Sequence, residues 1–291
     1  MRWLERALRL RWLDVSARSP SRPQPDAALQ AIYPGRPLLL AHRGDRAHFP
    51  ENTVLAVTQA LARGADGSEF DVRLSRDGVP VVIHDDTVDR TMHATGPVSS
   101  FSSVALGAMR ARRHSRWGTG PEPGVPTLAE LLAAMPDGAV AVVELKGPVG
   151  SERQLEARAL EVMEPHRRRL HMMVSSFHPG QLLNVRERDG DIALGVLAEP
   201  EQLLPLRLCL QALPLRAAAL HLPVSMVDAE LVARAHRAGR RVHVWRVLNR
   251  TNLITVLDAG ADAVMVDDVP AAVVEMQRWL ERRGLPSISS P

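Results

Sequence analysis

Seven residues carry most of the chemistry available to this chain: His42, Arg43, Glu69, Asp71, His84, Glu144 and Lys146. Glu69 and Asp71 are two apart, so on a strand both side chains point to one face. Glu144 adds a third carboxylate at the tip of another apolar run. A carboxylate buried there without a partner would be costly, so a shared partner is implied. Three oxygen donors suit a hard divalent cation, Ca2+ or Mg2+. His42 and His84 titrate near neutrality and suit proton transfer. Arg43 and Lys146 suit an anion such as phosphate, arginine as a two-pronged donor and lysine as a point charge. The competing reading of these residues is an ion-pair network with a purely structural role.

A fold must bring these positions together. Apolar strand candidates lie at 38–41, 68–74, 79–83, 139–145, 171–175, 192–197, 217–222, 241–247 and 263–266. Helical patterns lie near 51–63, 127–135, 152–164, 178–188, 200–212, 227–238, 251–258 and 271–283. Repeated βα units imply a parallel sheet. Nine strand candidates are one too many for an eight-stranded barrel. Asp77-Gly78, between two apolar runs, reads as a hairpin turn, so the strand after it returns antiparallel and brings His84 back beside Glu69. The other eight then close a (β/α)8 TIM barrel, whose functional groups sit at the C-terminal ends of its strands. An open doubly wound sheet is the alternative, although no Gly-x-Gly-x-x-Gly follows the first strand.

The expected organisation is an N-terminal amphipathic helix and Pro-rich linker (1–37), a barrel domain (38–285) and a short tail (286–291). A capping insertion of little periodicity spans about 91–124. In the first helix Trp3, Leu4, Ala7 and Leu8 share a face, which suits either a membrane surface or the outside of the barrel.

Composition removes other classes. The single cysteine, Cys209, rules out an internal disulfide or a thiolate zinc site, and its apolar setting reads as packed. The net charge of +3 is small, and no basic cluster is interleaved with aromatic residues, so nucleic acid is not an expected partner. No transmembrane run and no secretory signal is evident, which favours the cytoplasm, with the inner membrane face as a peripheral option. Lys146 is the single lysine among 36 Lys and Arg residues. Coding bias explains that ratio; a site needing a compact point charge would explain the exception.

Several short motifs then fall in one order. They are Ala-His-Arg-Gly (41–44), Pro-Glu-Asn-Thr (50–53), Gly-Ser-Glu-Phe-Asp-Val (67–72) and Asp-Gly-Val-Pro-Val-Val-Ile-His-Asp (77–85). Arg-Thr (90–91), Val-Pro-Thr-Leu-Ala-Glu (125–130), Val-Glu-Leu-Lys (143–146) and Ser-Ser-Phe (175–177) follow. Over about residues 38–270 the chain resembles the glycerophosphodiester phosphodiesterase family. The resemblance implies metal-dependent hydrolysis of glycerophosphodiesters to sn-glycerol 3-phosphate and an alcohol. It implies His42 and His84 as the acid/base pair, and Glu69, Asp71 and Glu144 as metal ligands. Arg43, Lys146, Glu51, Trp245 and Phe177 would contact phosphate or substrate, with Glu51 an option for the metal shell. Asn52 and Thr53 would face substrate or start a helix. Asp85 and Asp86 would orient His84 or cap its loop. His48 would border the site, His178 and His221 could reach it, and His93, His114, His166 and His236 read as surface.

The second half departs from the family pattern. Trp-Thr-Val-Asn is replaced by Trp245-Arg246-Val247-Leu248, with Arg246 expected to face the helical layer, and the closing motif reads Val266-Asp267-Asp268-Val269-Pro270. These changes bear on leaving-group specificity more than on phosphoester chemistry. Two alternatives stay open: a lysophospholipase D-type enzyme acting on membrane lipids, and a barrel that binds phosphodiesters without cleaving them.

Overall fold

The computed structural model describes residues 2–19, 32–112, 120, 122–147 and 154–288, apart from the Arg2 and Trp3 side chains. Its strands are β1 (Leu38–His42), β2 (Gly67–Leu74), β3 (Pro80–Val82), β4 (Val140–Leu145), β5 (His171–Ser176), β6 (Ala193–Leu197), β7 (Ala219–Pro223), β8 (Arg241–Val247) and β9 (Ala263–Val266). Eight of them form a parallel ring in the order β1, β9, β8, β7, β6, β5, β4, β2, and a β1–β2 pairing closes it. This is a TIM barrel. β3 lies outside the ring, antiparallel to β2, with Val72 opposite Val82. The Asp-Gly turn therefore works as expected, and the open-sheet alternative falls because β1 has hydrogen-bonded neighbours on both sides.

Alternation along the strands sorts the core into two layers. Leu38, Leu40, Val140, Val142, Met173, Ala219, Ala263 and Met265 fill the lower barrel interior. Their outward-facing neighbours, such as Leu39, Ala141, Val143, Leu220 and Val264, pack against the surrounding helices. Those helices start where side chains satisfy their first amides. Thr53 caps α2 (Val54–Ala62), Asp228 caps α8 (Ala229–Arg237) and Asn249 caps α9 (Arg250–Asp258). The short α3 (Ser103–Gly107) belongs to the stretch after β3, which has its own small core of Val88, Met92, Val98, Leu106, Ala111 and Val125 against Val81 and Ile83. His114 of that stretch lies outside the described residues.

Two expectations of local structure differ. The single helix expected over 200–212 is broken into α7 (Leu204–Arg207) and a 3-10 turn (Leu210–Ala212), because Cys209 adopts a left-handed φ of 59°. The N-terminal helix α1 (Arg2–Ala17) packs on the barrel exterior, and by a different face from the one anticipated. Leu10 and Leu13 are buried, whereas Leu4 is 57% exposed. Ion pairs select that face. Arg6 reaches Asp228 (2.8 Å) and Glu230 (2.7 Å), Arg234 pairs with Asp14, and Trp12 donates to the Cys209 carbonyl (3.2 Å). Among the described residues, no helix is long and apolar enough to cross a membrane.

Exposed ion pairs contribute little individually, so the buried leucines should carry the docking energy. Leu13→Ala is expected to cost about 2–4 kcal/mol in a denaturant titration, and Leu4→Ala less than about 0.5 kcal/mol. Equal, small losses from both would mean that α1 is not docked in solution.

Candidate active site at the barrel mouth

The first βα turn begins the site. His42 ends β1, and the chain then turns through Arg43 (φ 61°) and Gly44 (φ 80°). A Cβ on Gly44 would lie 2.5 Å from the Ala56 backbone, so glycine permits the close approach of α2. A left-handed φ on Arg43 costs about 1–3 kcal/mol and needs fixed surroundings. They are present: the Arg43 amide donates to the Glu69 carbonyl (2.7 Å), and its guanidinium reaches Asp71 (Nε to Oδ2, 3.0 Å) and Glu51 (Nη1 to Oε1, 2.9 Å). Asn52 is also left-handed (φ 57°). Its Nδ2 donates to Asp71 Oδ2 (2.8 Å), while its Oδ1 accepts from the Asp71 amide (3.3 Å).

β2 and β4 supply the acidic cluster. In register, Asp71 lies opposite Glu144. Glu69, Asp71 and Glu144 are all buried, and one carboxylate oxygen from each lies within 4.8 Å of the others. Lys146 bridges two of them, with Nζ 2.5 Å from Glu144 Oε1 and 3.3 Å from Asp71 Oδ1. Burial alone would raise the Asp71 pKa, but Arg43 and Lys146 overcome it and hold the group down at about 2. Burial, reinforced by Asp71, pushes Glu144 up to about 7 and Glu69 well above the usual carboxylate range. Both Glu69 oxygens are buried without a hydrogen-bond partner among the described residues. An all-oxygen donor set with unpartnered atoms facing two other carboxylates fits a hard divalent cation. A second acidic group, Asp45, His48 and Asp268, differs: Asp45 is already engaged by Arg63 (2.6 Å) and His48 (3.0 Å).

Each histidine is held by its own carboxylate. His42 Nδ1 is 2.7 Å from Asp267 Oδ1, and His84 Nδ1 is 2.6 Å from Asp85 Oδ1. A carboxylate only accepts, so Nδ1 carries the proton and Nε2 is the free nitrogen in both neutral rings. His42 Nε2 lies 3.9 Å from Glu69 Oε2. Burial lowers the pKa of both histidines.

A 150 Å³ cavity brings together His42, Arg43, Glu69, His84, Glu144, Lys146, Phe177 and Trp245. Its wall also holds Ser175, Leu197, Glu199, His221 and Met265. Phe177 and Trp245 meet edge to face (5.7 Å), and Lys146 lies over the Phe177 ring (5.5 Å). Asp71 is fully buried, gripped by Arg43, Lys146 and Asn52. Glu51 is not among the cavity-lining residues: Arg43, Arg46 and Arg90 enclose it, and they outweigh burial to hold its pKa at about 2. His48 turns to Asp45 instead, whereas His178 lines a wider outer groove that shares His84, Glu144, Lys146 and Phe177 with the cavity.

Two groups escaped the sequence reading. Asp267 was seen only as a shifted motif, and Glu199 gave no signal beyond its place after β6. Arg246 corrects an expectation. A register shift between Val244 and Val247 breaks strict alternation in β8, and the guanidinium lies 4.0 Å from Asp267, not in the helical layer.

The raised Glu144 pKa has a testable sign. A folded pKa of about 7, above the ordinary 4.5, favours folding at low pH, and that contribution is lost as pH rises through 7. In chelator, the Tm of the native protein relative to Glu144→Gln should therefore fall between about pH 5 and pH 8. A constant difference would show that Glu144 ionises normally.

Residues 42–271 match the Glycerophosphoryl diester phosphodiesterase family. The chain is 30% identical over 243 residues to a glycerophosphodiester phosphodiesterase of Caldanaerobacter subterraneus subsp. tengcongensis, covering 83% of this chain and 98% of that one. Its fold is similar to a phosphodiesterase of Oleispira antarctica solved with the product sn-glycerol-3-phosphate (TM-score 0.72, 26% identity, 85% of this chain and 98% of that one). A Silicibacter pomeroyi structure also shares the fold (TM-score 0.75, 24% identity, 90% and 99% covered). With the barrel and these motifs in register, the chain belongs to the glycerophosphoryl diester phosphodiesterase family and is a phosphodiesterase.

Proposed function

We propose that this chain hydrolyses glycerophosphodiesters to sn-glycerol 3-phosphate and an alcohol in a reaction that needs a divalent cation. The observation that carries the reading is the cavity: two neutral histidines with free Nε2 atoms share it with two cationic and three acidic side chains. Family membership and the product held by the Oleispira antarctica protein support the substrate class. Glu69, Asp71 and Glu144 would hold the cation (Ca2+ or Mg2+), which would supply Lewis acidity and offset charge on the phosphoryl oxygens when bound.

Arg43 and Lys146 draw in and orient the phosphodiester anion. One histidine Nε2 takes a proton from the nucleophile, either water or the 2-hydroxyl of the glycerol moiety. The other histidine, protonated, gives its proton to the leaving alkoxide as the P–O ester bond breaks. Asp267 and Asp85 fix each ring and stabilise its protonated form, so either histidine can serve as acid or base. Phe177 and Trp245 border the organic part of the substrate.

One observation favours a second reading, action on lysophospholipids at a membrane. The outer groove includes Phe177, Leu203 and Leu206, and Leu203 is 77% exposed. Comparison of glycerophosphocholine with lysophosphatidylcholine, and sedimentation with lipid vesicles, separates the two readings. The first expects soluble diesters to be preferred and no vesicle binding.

Activity on glycerophosphocholine should vanish in EDTA and return with Ca2+ or Mg2+. His42→Ala and His84→Ala should each slow turnover at least ~100-fold. Full activity after exhaustive chelation would remove the cation from the mechanism. Near-native rates in either alanine variant would remove that histidine.

A further inference from the structure

Three uncharged side chains of the cavity wall, Ser175, His221 and Trp245, each leave one polar atom without a hydrogen-bond partner among the described residues. Ser175 Oγ, His221 Nδ1 and Trp245 Nε1 are all buried without a hydrogen bond among the described residues. Ser175 and His221 are fully buried, and all three residues line the cavity. A buried donor or acceptor left unpaired costs about 1–3 kcal/mol, so three in one wall imply a ligand that pairs them.

The barrel makes room for His221 at some expense. A Cβ on Gly195, on neighbouring β6, would lie 2.4 Å from His221 Nε2, so the absence of a side chain there admits the ring. Below, His221 stacks on His243 at 4.6 Å, and His243 Nε2 is anchored by the Tyr33 hydroxyl at 2.7 Å. His221 Nε2 lies 3.3 Å from Met173 Sδ. A sulfur accepts weakly and does not donate, so Nε2 carries the proton and Nδ1 presents a lone pair.

The wall thus offers an N–H donor (Trp245), a hydroxyl that both donates and accepts (Ser175) and a lone pair (His221). These three side chains add no charge, whereas Arg43, Lys146, Glu69, Glu144 and Glu199 line the same cavity. A mixed, neutral set complements hydroxyl groups, each of which donates one hydrogen bond and accepts others. We infer that Ser175, His221 and Trp245 form a hydroxyl-recognition wall that selects the polyol side of the substrate, with His221 the specificity-determining residue. The inference rests on the proposed reaction and assigns the part of the cavity that tells a glycerol ester from any other phosphodiester.

The test compares glycerophosphocholine with bis(4-nitrophenyl) phosphate, a diester without hydroxyls, on the full chain with saturating divalent cation. The wild type should prefer glycerophosphocholine. His221→Phe, which preserves the stack and the volume, should lower that preference in kcat/KM roughly 10-fold or more, mainly through KM. Ser175→Ala, which removes one oxygen and guards against misfolding of the first variant, should lower it in the same direction. His221→Asn, which restores an acceptor, should recover part of it. Preference retained within about 2-fold in both His221→Phe and Ser175→Ala, at near-native Tm, overturns the inference. So does an equal loss on both substrates, which is what a merely structural role would give. A wild type that cleaves the aryl diester but no glycerophosphodiester would instead overturn the reaction on which the inference rests.

Discussion

Three carboxylates lie buried side by side at the mouth of this barrel, and like charges at such separations repel strongly in a medium poor in water. The rest of the site can be understood as the response to that crowding. Arg43 and Lys146 push in from two sides and neutralise Asp71 most fully, which leaves it ionised with its pKa at about 2. Glu144 and Glu69 receive less compensation, and burial moves both upward. The cluster as folded is therefore short of positive charge. A chain shaped by stability alone would not leave both oxygens of Glu69 buried without a hydrogen-bond partner among the described residues.

The barrel distributes the cost of holding this arrangement. The charged groups come from β1, β2, β4 and the turns that follow them, so no single segment must bend far to supply the cluster. At the site, left-handed backbone falls in the first βα connection, where Arg43 and Asn52 adopt it and each, in exchange, reaches Asp71. A second ring of acids, Glu51, Asp85 and Asp267, holds Arg43, His84 and His42, which face the cavity. Arg90 ties Glu51 to Asp85 and so links the first turn to the loop after β3. The outer acids fix orientation, and the inner groups keep free atoms for a ligand.

Much of this was legible in the sequence, and the pattern of success is physical. Repeated βα units, the Asp-Gly turn and residues next to strand tips are local signals, and they predicted the barrel, the outlying β3 and the convergence of His42, Glu69, His84, Glu144 and Lys146. What failed depends on tertiary context. The buried face of α1 is selected by Asp228, Glu230 and Arg234, which are more than 200 residues away. The break at Cys209 needs a left-handed residue that no glycine announced. Arg246 was misjudged because alternation assumes a regular strand, and β8 is irregular after Val244. Asp267 as the partner of His42, and Gly195 as the hollow for His221, are contacts between adjacent strands of the barrel with no motif of their own.

The central claim is that Glu69, Asp71 and Glu144 are gathered to hold one divalent cation. Crystals grown with Mn2+ and measured for anomalous scattering test it most directly. The account predicts a strong anomalous peak among the three carboxylates, within coordinating distance of an oxygen from each, and its loss in Glu69→Gln. An undisturbed carboxylate cluster with no peak there, or a peak only at Asp45, His48 and Asp268, would contradict it.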